Sequence, residues 1–220
     1  MTDHAPLEFL GTTRHVLFDM DGVLLDTEPL YTEAYDRVLA PFGASLDWEL
    51  KTRMMGRPAL HSAGLAVEKY GLPISAEEFL RLRKPVLDEL FRNSPAIAGA
   101  EQLVRRLKAA GVRIAVATST ARPLFELKTS SHPWFDAFDV TVCGDDPEVK
   151  SPKPAPDIFL VAARRLGVDA ADCIVFEDSP AGVEAALAAR ARVFALIDAR
   201  LDRALYAGVE RIITSYDELL

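Results

Sequence analysis

The feature that most narrows the fold of this chain is an alternation. Short apolar runs rich in branched residues, His15–Phe18, Arg113–Ala117, Cys173–Phe176 and Arg192–Leu196, are separated by stretches whose apolar residues recur at threes and fours. Such runs read as strands buried on both faces, and the weaker runs Val140–Cys143 and Arg211–Ile213 extend the series. Helical periodicity covers Gly99–Ala110, Pro156–Leu166 and Ala181–Ala189, with Gly111 and Gly167 standing where two of those helices need a left-handed residue to stop. Strand and helix in alternation predict an α/β fold, a Rossmann-like doubly wound parallel sheet, because parallel strands need helical crossovers.

One region breaks the pattern. From about Glu28 to Pro95 there is no convincing strand, only helical stretches punctuated by Pro41-Phe42-Gly43, Gly56-Arg57-Pro58 and Gly71-Leu72-Pro73. The expected organisation is an α/β core of residues 1–26 and 96–220, with an all-helical cap of residues 27–95 inserted into it. A chain of 220 residues has room for both. The insertion leaves and re-enters beside a strand end, where open α/β sheets bind ligands, so it reads either as a lid or as a passive helical subdomain.

Half of the residues are hydrophobic and 26% are charged, the balance of an ordinary globular chain. A net charge of −8 argues against a general affinity for nucleic acid or anionic lipid. The opening MTDHAPLEFLG reads as neither signal peptide nor anchor, and no run reaches the ~18 apolar residues of a membrane span. The expectation is a cytoplasmic protein with no membrane partner. Cys143 and Cys173 lie in or beside apolar runs and read as reduced core residues. His4, His15, His61 and His132 show no metal-ligand spacing.

Chemistry collects at the predicted strand ends. Phe18-Asp19-Met20-Asp21-Gly22 sets two carboxylates one residue apart where the first buried strand stops. Alone, such a pair fits a solvated turn as well as a site. An EF-hand loop is excluded, since it needs its glycine sixth and oxygen ligands first, third and fifth, whereas Gly22 is fourth and Val23 fifth. Three further stretches fall at strand ends or helix starts. Val116-Ala117-Thr118-Ser119-Thr120 offers hydroxyls and N–H groups that suit an oxyanion, or else caps a helix through Ser119 or Thr120. Lys150-Ser151-Pro152-Lys153-Pro154-Ala155-Pro156-Asp157 restrains lysines among prolines before a helix, Lys150 reading as a surface residue. Val175-Phe176-Glu177-Asp178-Ser179-Pro180 ends a strand in a second acidic pair. Two acidic pairs at two strand ends point to a divalent cation with oxygen ligands, and Mg²⁺ is the hard cation with that preference and a place in phosphate chemistry.

Taken in order, Asp19-x-Asp21-Gly22, Thr118 at a strand end, Lys153-Pro154-Ala155-Pro156-Asp157 and Glu177-Asp178 resemble the four motifs of the haloacid dehalogenase superfamily of phosphohydrolases, over nearly the whole chain. The helical insertion between the first and second motifs resembles the cap of the β-phosphoglucomutase-like branch. The stretches Lys128-Thr129-Ser130 to His132, Trp134-Phe135, Gly144 to Val149 and Phe176 to Leu187 look like the pseudouridine-5′-phosphatase and glycerol-3-phosphatase subgroup. Two departures stand out. Pro152 occupies a position that is commonly glycine, and Arg190 stands where a glycine usually follows the alanine-rich helix.

The resemblance implies a Mg²⁺-dependent phosphoric monoester hydrolase acting on a small phosphorylated metabolite, a sugar, polyol or nucleoside monophosphate, through an aspartyl phosphate. It implies Asp19 as nucleophile and Asp21 as acid and base. Mg²⁺ would be held by Asp19, the backbone carbonyl of Asp21 and Asp178, with Glu177 close by or acting through water. Thr118, with Ser119 beside it, and Lys153 would hold the transferring oxygens. Asp21 separates this pattern from the dehalogenases, which need no acid two residues after the nucleophile. In the cap, Gly56-Arg57 reads either as a leaving-group contact or as a solvated arginine, and Glu28 as a further pocket residue. A sugar-phosphate mutase is the main rival, but the fifth residue after Asp26 is Tyr31 where that enzyme has histidine. A non-enzymatic phosphoacceptor domain is the remote one, since such domains span only ~120 residues and have no insertion after the first strand. A monomer or weak homo-oligomer completes the expectation.

Overall fold

The computed structural model describes residues 7–54, 59–199 and 201–220. Six strands, β1 His15–Phe18, β2 Arg113–Thr118, β3 Val140–Cys143, β4 Cys173–Glu177, β5 Arg192–Leu196 and β6 Arg211–Ile213, form one sheet in the order β3-β2-β1-β4-β5-β6. Every pairing is parallel. The chain winds outward from β1 in one direction, then returns to β4 and winds in the other, so the order reverses between β1 and β4. In an open sheet that reversal opens a crevice at the carboxyl ends of the two strands.

Each expected strand forms, and the α/β reading of the core holds. Two boundaries differ by one residue. β2 and β4 run one position further than the apolar pattern suggests, because Thr118 still pairs with Cys143 and Glu177 with Ala195. Both polar residues therefore sit on the last rung of a strand, each paired there with one neighbouring strand.

Strand periodicity of two sorts the core into two layers. Val16, Phe18, Ile114, Val116, Ile174, Phe176, Phe194 and Leu196 face one way, onto Leu103, Val104 and Leu107 of helix α5 Ala100–Ala109. Here Phe18 stacks on Phe176 at 5.0 Å between ring centroids, and Phe194 meets Phe176 edge-on at 5.5 Å. Leu17, Ala115, Ala117, Val175, Val193 and Ala195 face the other way, onto α7 Asp157–Leu166 and α8 Pro180–Ala188. Helix α6 Arg122–Thr129 follows β2. Gly111 and Gly167 adopt positive φ past α5 and α7, and Arg190 does the same past α8 with φ 67.

By its internal contacts the chain divides into two units, Met1–Asp26 with Pro95–Leu220, and Thr27–Ser94. The two crossings between them are tied together within the sheet unit, where Asp26 N–H donates to the Pro95 carbonyl at 2.8 Å and Ile97 N–H to Leu24 at 2.9 Å. The second unit is helical, with α1 Glu28–Leu39, α2 Trp48–Met54, α3 Ala59–Tyr70 and α4 Ala76–Phe91. Its core of Tyr35, Leu39, Leu50, Ala63, Ala66 and Phe79 belongs to that unit alone. No helix among the described residues is long and apolar enough to cross a membrane.

Candidate active site

The acids gather at the crevice because the sheet register delivers them there. Asp19 is the first residue after β1, and its N–H donates to the Phe176 carbonyl of β4 at 2.9 Å. The chain then folds back on itself, with the N–H groups of Leu24 and Leu25 both donating to the Met20 carbonyl. That turn depends on Gly22, which has φ +78 and lies so close to Asp178 that a Cβ would stand 2.1 Å from Oδ2. Only glycine meets both demands. Two tyrosine hydroxyls brace the same loops, Tyr216 donating to the Val23 carbonyl at 3.0 Å and Tyr206 to the Asp178 carbonyl at 2.8 Å.

Asp19, Glu177 and Asp178 bring one carboxylate oxygen each within 4.8 Å of one another. Lys153 reaches into them from the loop before α7, its Nζ donating to Asp19 Oδ1 at 2.5 Å and to Glu177 Oε1 at 2.6 Å. The Lys153–Pro154 bond is cis. Asp157 braces this loop by accepting the N–H groups of Lys150 and Ser151, both at 3.0 Å. Lys150 is exposed and donates to Pro147. Glu177 is wholly buried, and its Oε2 accepts the N–H groups of Asp178 and Ser179 and the Ser179 hydroxyl. It lies flat on the first turn of α8, where a Cβ on Gly182 would stand 1.6 Å from Oε1.

Two of the three carboxylates, Asp19 and Glu177, share the Lys153 ammonium, and the electrostatics follow. Burial, opposed by Lys153 and reinforced by Glu177 and Asp21, pushes the Asp19 carboxyl up to about 7. For Lys153, burial alone would lower the pKa, but Asp19 and Glu177 outweigh it and hold the ammonium well above its ordinary range. All the converging donors are hard oxygens, so the residues present fit a divalent cation.

Asp21 stands apart from that trio and has holders of its own. Its Oδ1 accepts from Lys128 Nζ at 2.6 Å and its Oδ2 from the Thr120 hydroxyl at 2.8 Å. Thr118, buried at the end of β2, accepts the Thr120 N–H on its hydroxyl oxygen at 3.1 Å. Ser119 is exposed, and its carbonyl lies against Gly144. The helix-capping alternative for Ser119 or Thr120 does not form. The N-cap of α6 is Ala121, with no side-chain bond, and the Thr120 hydroxyl goes to Asp21 instead.

The sheet unit thus brings together Asp19, Glu177, Asp178 and Lys153, and connects Asp21 with Thr120 and Lys128. Glu28 opens α1 in the helical unit, 3.9 Å from Lys51 Nζ. Tyr31 packs edge-on against Phe91 at 5.3 Å. Gly56 and Arg57 lie outside the described residues. Sequence reasoning missed Lys128, Thr120 as a partner of Asp21, Tyr206 and Tyr216. For Lys128 a signal existed, because it falls in helical register with Leu124 and Phe125 and so interrupts an apolar stripe.

The sequence model of the family described as haloacid dehalogenase-like hydrolase matches residues 13–190. Among curated proteins, the chain is 44% identical to "(DL)-glycerol-3-phosphatase 1, mitochondrial" of Arabidopsis thaliana over 93% of this chain and 71% of that protein. It is also 44% identical to "Probable pseudouridine-5'-phosphatase" of Drosophila melanogaster over 94% of this chain and 91% of that protein. Among solved structures, one described as "putative beta-phosphoglucomutase" from Thermotoga maritima matches with a TM-score of 0.79 and 34% identity, over 94% of this chain and 96% of that one.

Proposed function

This chain belongs to the haloacid dehalogenase-like hydrolases, and from that premise we propose that it hydrolyses a small phosphate monoester, such as glycerol 3-phosphate or pseudouridine 5′-phosphate, with Mg²⁺ and through a phosphorylated Asp19. The observation that carries the reading is the convergence of Asp19, Glu177, Asp178 and Lys153 at the β1–β4 crevice, beside an Asp21 held by separate donors. The relatives named as phosphatases support the same class of reaction.

In the first step an Asp19 carboxylate oxygen attacks phosphorus. The bond from phosphorus to the ester oxygen breaks, its electron pair stays on that oxygen, and the oxygen takes the proton of the Asp21 carboxyl. In the second step Asp21, now a carboxylate, takes a proton from water as the water oxygen bonds to phosphorus. The bond from phosphorus to Asp19 breaks, which releases phosphate and restores both acids. Lys153 holds a transferring oxygen and keeps Asp19 from being overwhelmed by its acidic neighbours. Thr118 and Ser119 supply hydroxyl and N–H groups to the remaining oxygens. When bound, Mg²⁺, held by Asp19, Asp178 and the Asp21 carbonyl with Glu177 acting through water, would supply the positive charge that lets a carboxylate meet a phosphate dianion. Recognition of the leaving group falls to the helical unit in this proposal, with Glu28, Gly56 and Arg57 as its candidates. Cytoplasmic location stays part of the reading, supported by two buried, unbridged cysteines.

A phosphate-release screen over alkyl, sugar and nucleoside monophosphates, with Mg²⁺ and with chelator, tests the proposal. Turnover should require Mg²⁺ and vanish in Asp19→Asn; retained turnover in that variant refutes the mechanism. Transfer between sugar positions is favoured by one observation, the Thermotoga maritima structure. Tyr31 argues against it. Isomerisation of glucose 1-phosphate outpacing phosphate release, in the presence of the bisphosphate, would decide for the mutase.

A further inference from the structure

Resting on the reading of Asp21 as acid and base, we infer that Lys128 and Thr120 are positioning residues, which fix the Asp21 carboxyl for proton transfer to the leaving oxygen. Lys128 lies in the last turn of α6 and its side chain has no exposed surface, an unusual place for an ammonium. Burying such a charge is costly unless it is paired, and the partner is Asp21 Oδ1 at 2.6 Å. Thr120 grips the other oxygen at 2.8 Å and lies 3.5 Å from Lys128 Nζ, which closes a triangle. With a donor on each oxygen the carboxyl plane is fixed rather than free to rotate, while the side chain stays 29% exposed. The two aspartates of Asp19-Met20-Asp21 therefore have separate lysines. Lys153 serves Asp19 and Glu177, and Lys128 serves Asp21.

Proton transfer is sensitive to this placement. A general acid contributes roughly 10²–10⁴-fold, and a misplacement of about 1 Å costs about 10²-fold. The proton matters only where the leaving group needs it. As the Asp19–phosphorus bond forms, an alkoxide must take the Asp21 proton, whereas p-nitrophenolate departs without one. The test compares single-turnover cleavage of glycerol 3-phosphate with the nitrophenolate burst from p-nitrophenyl phosphate, both with Mg²⁺ present. Lys128→Met keeps the side-chain volume and removes the cation, and Thr120→Val keeps the shape and removes the hydroxyl.

Each variant should slow alkyl ester cleavage by about 10- to 100-fold with KM held, and slow the nitrophenolate burst far less. Asp21→Asn should show the same leaving-group signature, and adding Lys128→Met to it should cause no further loss. Equal losses on both substrates, no loss on either, or a Lys128→Met loss that multiplies that of Asp21→Asn would each overturn the inference. If Lys128→Met does not fold by circular dichroism, Thr120→Val decides between the same outcomes. Undiminished cleavage by Asp19→Asn would instead remove the mechanism itself, a failure distinct from that of the two positioning residues.

Discussion

Gly22→Ala adds a Cβ that would stand 2.1 Å from Asp178 Oδ2 and 2.6 Å from its Cγ, at a residue whose φ is +78. Two effects follow, and they are separable. A left-handed backbone costs a residue with a Cβ roughly 1–2 kcal/mol, offset by about 0.4–1 kcal/mol because alanine has less unfolded-state freedom to lose. The balance near 1 kcal/mol corresponds to a Tm about 2–4 °C lower. The contact itself forces the Asp178 carboxyl to retreat by about 1 Å or more before an ordinary separation is restored. A displaced ligand should weaken Mg²⁺ binding by ~10–100-fold and lower kcat by up to ~10²-fold. Gly111→Ala is the control, since Gly111 has φ +72 with nothing within 4 Å. It should lose the same stability and no activity. Gly182→Ala is the converse, adding a Cβ 1.6 Å from Glu177 Oε1 on a helix with no left-handed φ. Glu177 is buried and bonded on both oxygens, so this variant should lose both stability and activity. Thermal unfolding in chelator, which keeps metal linkage out of Tm, and Mg²⁺ activation curves separate the effects. A Gly22→Ala enzyme with the kcat and Mg²⁺ dependence of Gly111→Ala would refute the reasoning.

Other expectations are simpler. Arg190 is exposed and holds φ 67 past α8, so Arg190→Gly should relieve strain of ~1–2 kcal/mol against a glycine entropy cost of ~0.5–1 kcal/mol, raising Tm slightly without changing kcat. A lower Tm would mean that the arginine side chain contributes more than its backbone costs. Burial pushes the Cys143 thiol to about 11 and the Cys173 thiol to about 12, so neither should react with a thiol reagent at mildly alkaline pH until the chain is unfolded. Rapid modification of native protein would contradict this. Because burial raises the Asp19 carboxyl to about 7 in the metal-free chain, the folded state keeps a proton that the unfolded state has released above its own carboxylate pKa near 3.8. The stability that this proton contributes is full below 3.8 and is lost as pH rises through about 7. Over the same window Mg²⁺ affinity should rise as its ligand deprotonates, which calorimetry in several buffers measures as proton release; pH-independent binding would count against it.

The sheet was legible because each strand is an apolar run bounded by turn residues, and the acids were legible because they close those runs. What hid from the sequence depends on approach in space. Gly22 beside Asp178 and Gly182 beside Glu177 join residues whose nearness only the folded chain creates. Lys128 is a lysine whose partner lies 107 positions away, and only its place in an apolar stripe hints at burial. The one-residue extensions to Thr118 and Glu177 reflect ladder pairing, which holds polar residues in strands that composition alone would end earlier. Arg190 holds a glycine's conformation without being glycine, so its left-handed backbone was visible only as a departure from the family pattern.

The most direct test of the account is a search for phosphate on Asp19 itself. Asp21→Asn enzyme mixed with Mg²⁺ and p-nitrophenyl phosphate, quenched in acid after the nitrophenolate burst and read by peptide mass spectrometry, should carry one phosphoryl group on the peptide containing Asp19. The Asp19→Asn/Asp21→Asn protein should carry none. A full burst with Asp19 unmodified, or with the phosphoryl group on another residue, would contradict the assignment of Asp19 as nucleophile.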